Sequence, residues 1–301
     1  MKKLSVAIIL CFFLGAAYFL QLPKEEKIQT DNATMYPVFH ENISERKEVT
    51  VPIFMFHHFS NVPSEWIMTP KAFEQDLQIL QEAQCEPISI QQLVDFVYQG
   101  KELPDHPVCL TFDDGYESNY TIAYPLLKKY HMKATIFAIG SYVGCTTYKN
   151  TGKPINPHFS YEQAVEMMDS GLIDIQSHSY DMHQYTPFEQ IQPSRETMLP
   201  LAGESKQQYQ RAFCTDFATY QREYSMHMGK KLYALAYPKG AHSAYTEQLA
   251  HRLGYAITFT TQKNKVNRVV EKDPTSLYAL GRFNVSEHTT KEELLQYLRQ
   301  E

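Results

Sequence analysis

The chain has 301 residues, 43% of them hydrophobic, 21% charged and 13% aromatic, with a formal net charge of −6. That apolar content excludes a predominantly disordered chain, and the length suits one large domain or two small ones. A negative balance without a long basic block excludes an electrostatic nucleic-acid binder.

Met1-Lys2-Lys3 precedes an uncharged, mostly apolar stretch at 4–20, a basic head followed by an apolar run. The run approaches the roughly 20 residues that a spanning helix needs, and no small-x-small cleavage site follows it. Residues 1–22 are therefore expected to be a signal peptide or an N-terminal membrane anchor, with the rest of the chain on the extracellular side. Residues 23–48 are polar, lack a sustained period and read as a linker to a folded domain at 49–301.

From residue 51 the pattern alternates strand and helix. Residues 51–56 read as a strand, and Thr69-Pro70 as the cap and first-turn proline of a helix with Phe73, Leu77 and Leu80 on one face. Residues 88–90 suggest a short strand, and Leu93, Val94 and Val97 a second helix. The run 107–112 reads as a strand buried on both faces. A helix through Tyr120, Ala123, Leu127 and Tyr130 follows, with Pro125 expected to kink it. Residues 134–139 and 172–175 are further strands, flanking a helix opened by the capping box Ser160-x-x-Gln163 and closed by Gly171. A helical region spans about 203–228, then strands at 232–237 and 255–260 enclose a helix with Leu249 and Leu253. A late strand is expected at 277–285, and Thr289-x-x-Glu292 as the cap of a final helix. Such alternation argues a parallel sheet closed, or nearly closed, into a barrel, with chemistry at the carboxyl ends of the strands.

Polar residues gather at those ends. Asp113-Asp114-Gly115 terminates the central strand. Two adjacent carboxylates share one site only if the backbone leaves strand geometry, and held close they repel unless a cation intervenes. His178 and His183 follow the strand at 172–175. Five residues apart, they would sit about 140° apart on a helix, so they are expected to converge from a loop. One carboxylate and two imidazoles leave open positions on a divalent ion, which suits catalysis. Tyr237-Pro238-Lys239-Gly240 is a turn at another strand end, able to aim a backbone N–H inward. Cys109 and Cys85 read as buried thiols, and a Cys145–Cys214 disulfide is compatible with export.

Thr111-Phe112-Asp113-Asp114-Gly115, the His178–His183 segment and the Tyr-Pro-Lys-Gly turn together resemble the polysaccharide deacetylases of carbohydrate esterase family 4, which share the NodB homology domain. Within that family the Phe56-His57-His58 strand end is similar to a Tyr-His-His segment of the poly-N-acetylglucosamine deacetylase branch. The resemblance implies an α/β fold, a distorted (β/α) barrel of seven to eight strands. It implies a metal-dependent hydrolase that removes N-acetyl groups from an extracellular N-acetylglucosamine polymer and releases acetate. Asp114, His178 and His183 would hold a divalent metal, zinc in the first instance, with cobalt or nickel able to occupy the same ligands. Asp113 would be the general base, and the Lys239 backbone N–H a donor to the oxyanion.

The chain also departs from the family pattern. Ala236 stands where an arginine usually orients the base, and Arg282 is the candidate substitute. The usual Leu-x-His general acid is not evident: His288 looks like part of a surface turn, and His57 is the candidate either for the acid role or for a supporting position beside the site. Peptidoglycan or chito-oligomers are alternative substrates, and a weak or inactive cell-surface glycan-binding protein is the alternative from another class.

Overall fold

Residues 46–261 and 266–299 are described by the structure, a computed structural model; the apolar segment at 4–20 and nearly all of the 23–48 stretch lie outside them. Among the described residues no helix is long and apolar enough to cross a membrane.

The strands are β1 (Glu48–Thr50), β2 (Ile53–Phe56), β3 (His58–Phe59), β4 (Ile67–Met68), β5 (Glu86–Pro87), β6 (Pro107–Asp114), β7 (Ala134–Ala138), β8 (Ile173–Ser177), β9 (Ala234–Ala236), β10 (Ile257–Phe259), β11 (Arg268–Val270) and β12 (Phe283–Asn284). The helices are α1 (Pro70–Glu82), α2 (Ile90–Gln99), α3 (Tyr124–Tyr130), α4 (Tyr161–Asp169), α5 (Lys206–Met228), α6 (Ala244–Arg252) and α7 (Lys291–Arg299). One curled parallel sheet runs in the order β10-β9-β8-β7-β6-β2-β12, with β5 added beside β6. Leu280 pairs with Phe259 of β10, and Phe283 with Phe54 of β2, so residues 280–284 draw the two sheet edges together. This is the distorted (β/α) barrel expected from the sequence.

Alternation along β6 sorts its side chains into two layers. Val108, Leu110 and Phe112 pack outward beneath the helices, and Cys109 faces the interior with Ile53, Phe137, Ala236 and Phe259. Leu93, Phe96 and Val97 of α2 join that interior layer, which leaves the carboxyl ends of the strands for polar groups. Thr111 and Asp113 share the inward phase of Cys109, both almost completely buried.

Several local expectations shift. The strand predicted at 88–90 is two residues earlier, because Ser89 instead forms the capping box of α2 with Gln92. Pro125 sits where a π-helix at Asn119–Ala123 runs directly into α3, in the first turn of α3, where its missing N–H is harmless. The final cap is Thr290 with Glu293, one residue later than expected. The late strand reduces to β12, because Pro274–Leu277 forms a 3₁₀ turn and the ladder is interrupted at Gly281-Arg282. Cys145 and Cys214 are not bonded to each other: both are free thiols, and the Cys145 sulfhydryl turns back on its own loop, 3.7 Å from the Ser141 carbonyl. Cys109 is buried as expected, whereas Cys85 is only half-buried.

Candidate active site

The site begins with a break in the strand rule. Asp114 has φ 70° and Gly115 φ 79°, so the chain turns left-handed as β6 ends. Aspartate tolerates that region better than most residues, and the turn brings the Asp114 carboxylate to the same side as Asp113. A side chain at Gly115 would meet the Ala138 Cβ at 2.9 Å, so glycine is required beside β7.

His178 follows β8 directly, and His183 arrives through a bent loop, as the five-residue spacing required. His178 Nδ1 lies 2.8 Å from the Ala236 carbonyl and His183 Nδ1 3.1 Å from the Glu196 carbonyl. With each Nδ1–H donating to a carbonyl, each Nε2 is left as a lone pair facing inward. Those nitrogens stand 3.7 Å and 3.6 Å from Asp114 Oδ1. Burial pushes His178 down to about 4, which keeps its imidazole neutral. Asp114 Oδ1 itself is buried with no hydrogen-bond partner. An orphaned carboxylate oxygen facing two imidazole lone pairs has the donor chemistry of a divalent-metal site, and the three ligand atoms lie within 4.8 Å of one another.

Asp113 is held differently. Arg282 Nη1 and Nη2 donate to its two oxygens at 2.7 Å each, and Nε donates to the Thr260 carbonyl at 3.2 Å. Burial alone would push the Asp113 carboxyl up, but the Arg282 guanidinium holds it well below the usual carboxylate range. The break in the late strand thus lets Arg282 cross the barrel interior. Ala236, lacking the expected arginine, contributes its carbonyl to His178 instead.

Lys239 adopts φ 56° in a single 3₁₀ turn and lines the cleft beside Asp114; its ammonium pairs with Glu196. His57 packs edge-on against Trp66, with ring centroids 5.0 Å apart. Burial lowers the His57 pKa, against the pull of Asp113 and Asp114. His288 is exposed in a turn, its N–H donating to Ser286 Oγ at 3.3 Å. From Asp114 opens a cleft of about 560 Å³ lined by Tyr116, Tyr142, Tyr148, His158, Tyr185 and Phe188.

The polysaccharide deacetylase family profile matches residues 100–258, more than half of the chain and inclusive of Asp113, Asp114, His178, His183 and Lys239. The chain belongs to the polysaccharide deacetylase family. These enzymes are hydrolases, and the barrel is theirs. Over 301 aligned residues, 95% of this chain and 94% of the relative, the deacetylase is 29% identical to YxkH of Bacillus subtilis (strain 168), whose name places it in the same family. It is 32% identical over 116 residues to the poly-beta-1,6-N-acetyl-D-glucosamine N-deacetylase of Staphylococcus epidermidis, an alignment covering 38% of each chain. Among solved structures, IcaB from Ammonifex degensii superposes with a TM-score of 0.68 at 26% identity, covering 83% of this deacetylase and 97% of that chain.

Sequence reasoning did not single out Glu196, whose carbonyl orients His183, or Asp216, which binds the loop between the two histidines. Neither residue carries a motif; one acts through its main chain and the other from a helix far along the chain.

Proposed function

We propose that this deacetylase removes N-acetyl groups from an N-acetylglucosamine polymer outside the cell. Asp114, His178 and His183 would hold a divalent metal, zinc in the first instance, with cobalt or nickel as functional substitutes. A bound divalent ion supplies Lewis-acid polarisation of the amide carbonyl and lowers the pKa of nearby water. Asp113 takes a proton from the attacking water as its oxygen adds to the carbonyl carbon, and Arg282 fixes the carboxylate in one orientation. The Lys239 backbone N–H donates to the developing oxyanion. The departing nitrogen takes up a proton as the C–N bond breaks, from His57 where bound substrate and metal leave that imidazole charged and otherwise from the protonated Asp113, so that acetate and a free amine leave. The tyrosine-lined cleft offers flat faces against which sugar rings can lie.

The observation that carries this reading is the division of labour between adjacent aspartates. Asp113 has both oxygens satisfied by one guanidinium, while Asp114 presents an unpartnered oxygen to two imidazole nitrogens. The named activity of the staphylococcal relative supports the choice of polymer. The apolar run at 4–20 supports export or anchoring at the extracellular face.

The test is acetate release by the full-length chain from poly-β-1,6-N-acetylglucosamine, chitin oligomers and peptidoglycan, with zinc, cobalt, nickel or chelator. Metal-restored release from the first polymer is expected. Release that survives complete metal removal would overturn the metal assignment, preference for another glycan would overturn the substrate, and binding without release would favour the glycan-binding alternative.

A further inference from the structure

The segment 178–183 carries two of the three metal-capable side chains, so the site is only as well defined as this loop. Its backbone is irregular: Ser179 has φ 72°, a conformation that serine does not adopt without support. Most of its polar groups are satisfied nearby. The Ser179 N–H donates to Ser177 Oγ at 3.1 Å and the Met182 N–H to Ser179 Oγ at 3.0 Å. The carbonyls of Ser179 and Tyr180 accept from the N–H groups of Gly140 and Ser141 at 3.0 and 2.9 Å.

Two N–H groups at the apex are satisfied from elsewhere. Tyr180 N–H donates to Asp216 Oδ2 at 2.8 Å and Asp181 N–H to Asp216 Oδ1 at 2.7 Å. Asp216 sits on the long helix α5 and is 8% exposed. Arg195, whose charge reaches it, is paired with Glu204 at 2.7 Å. A buried carboxylate costs free energy unless charge-assisted bonds offset it, and here the two recorded bonds both go to the loop between the histidines.

We propose that Asp216 is a positioning residue for the metal centre: its two oxygens hold the Tyr180-Asp181 backbone and thereby set where His178 and His183 present their nitrogens. The chemistry demands a carboxylate. Two converging N–H donors need two acceptor oxygens, and an amide would supply one acceptor and oppose the second N–H with its own. The inference rests on the metal reading above and concerns what shapes that site.

The test compares Zn²⁺ affinity of the metal-free full-length protein, its Asp216→Asn variant and its Tyr209→Phe variant, by competition with a chromophoric chelator. Tyr209 is a buried α5 residue whose hydroxyl bonds to the Met198 carbonyl and Thr246, and not to residues 178–183. Asp216→Asn is expected to weaken zinc binding by about 10–100-fold, as loss of supporting partners does at other metal sites, and to alter the visible absorption of the Co²⁺ form. Tyr209→Phe is expected to leave affinity unchanged even where it lowers Tm. In the metal-free parent, the Tyr180 and Asp181 amides should exchange slowly with solvent. Parental affinity in Asp216→Asn, equal weakening by Tyr209→Phe, or fast exchange of those two amides would each overturn the proposal. Exchange in the parent decides the matter if Asp216→Asn does not fold. A parent that binds zinc but deacetylates nothing sinks the proposed function and leaves Asp216 standing; a parent that binds no zinc sinks both.

Discussion

Arg282 meets Asp113 in a two-pronged ion pair, 2.7 Å on each side, across 169 residues of sequence and with both side chains almost wholly buried. A planar fork against a planar carboxylate fixes orientation as well as charge, which an ammonium cannot reproduce. Arg282→Lys should therefore retain metal while lowering kcat by about 10–100-fold, the scale of misplacing a general base. Arg282→Met leaves Asp113 buried and unpaired, and should cost about 3–5 kcal/mol of stability in denaturant titration. The guanidinium holds the Asp113 carboxyl low against burial, so its removal raises that pKa. The acidic limb of the pH–rate profile should then move to higher pH in any Arg282 variant that stays folded. An unmoved limb would show that Asp113 does not control it.

The two aspartates should separate in a metal assay. Asp113→Asn preserves the shape of the carboxylate and replaces none of the three ligand atoms, although its Oδ2 position lies 3.8 Å from His178 Nε2, so zinc content should stay at the parental level while acetate release is lost. Asp114→Asn exchanges the oxygen that faces His178 and His183 at 3.7 and 3.6 Å for a weaker donor, and zinc content itself should fall. Elemental analysis of dialysed protein checks both. Equal zinc in the two variants would mean that Asp114 is not a ligand.

The parts legible in the sequence were those at which local chemistry and strand geometry coincide. Asp113-Asp114-Gly115 announced itself because a long apolar run ended in adjacent acids, and the spacing of His178 and His183 required a loop between them. The fold class followed from alternating periods. Arg282 could be named as a candidate, but its expected strand is interrupted at Gly281-Arg282, and it is this interruption that lets the guanidinium into the barrel. Asp216 left no trace, because a polar residue on a mostly polar helix looks solvated until tertiary packing turns it inward. Glu196 was equally silent, since its contribution to His183 is a main-chain carbonyl that any residue carries. The Cys145–Cys214 pairing failed for the complementary reason, that compartment and count say nothing about which thiols meet.

Asp76 offers a stability test remote from the catalytic groups. It lies 7% exposed on α1, its Oδ2 has no hydrogen-bond partner, and burial, reinforced by the charge of Glu287, raises its pKa to about 7. A carboxyl whose folded pKa lies above its unfolded value is disfavoured in its ionised form by the fold. Below about pH 4 it is protonated in both states and carries no penalty; the penalty grows as pH rises and levels off above about 7. Asp76→Asn should accordingly be near neutral at pH 4 and stabilise the protein by about 2–4 kcal/mol at pH 8. Urea titrations at the two pH values measure the difference. A variant whose advantage is independent of pH would show that Asp76 does not titrate as its burial requires.

Gly240 closes the turn that carries Lys239, and it is irreplaceable for two separable reasons. Its φ of 67° is left-handed, and a Cβ there would collide with Thr261 Oγ1 and stand 2.5 Å from the Thr261 main-chain nitrogen. The first is strain of about 1–2 kcal/mol, felt by any L-residue. The second is a collision with backbone, which only movement of the turn relieves. Gly171 provides the control, with φ 73° and nothing within 4 Å of the added atom. Gly171→Ala should lose about 1–2 kcal/mol of stability and keep its rate. Gly240→Ala should lose more, since overpacking adds about 1–3 kcal/mol. Assayed well below both melting temperatures, it should also lose acetate release, because moving the turn displaces the Lys239 N–H from the oxyanion it is proposed to meet. If Gly240→Ala retained the full rate while showing the larger destabilisation, the turn would be a structural closure and the oxyanion donor would have to be sought elsewhere.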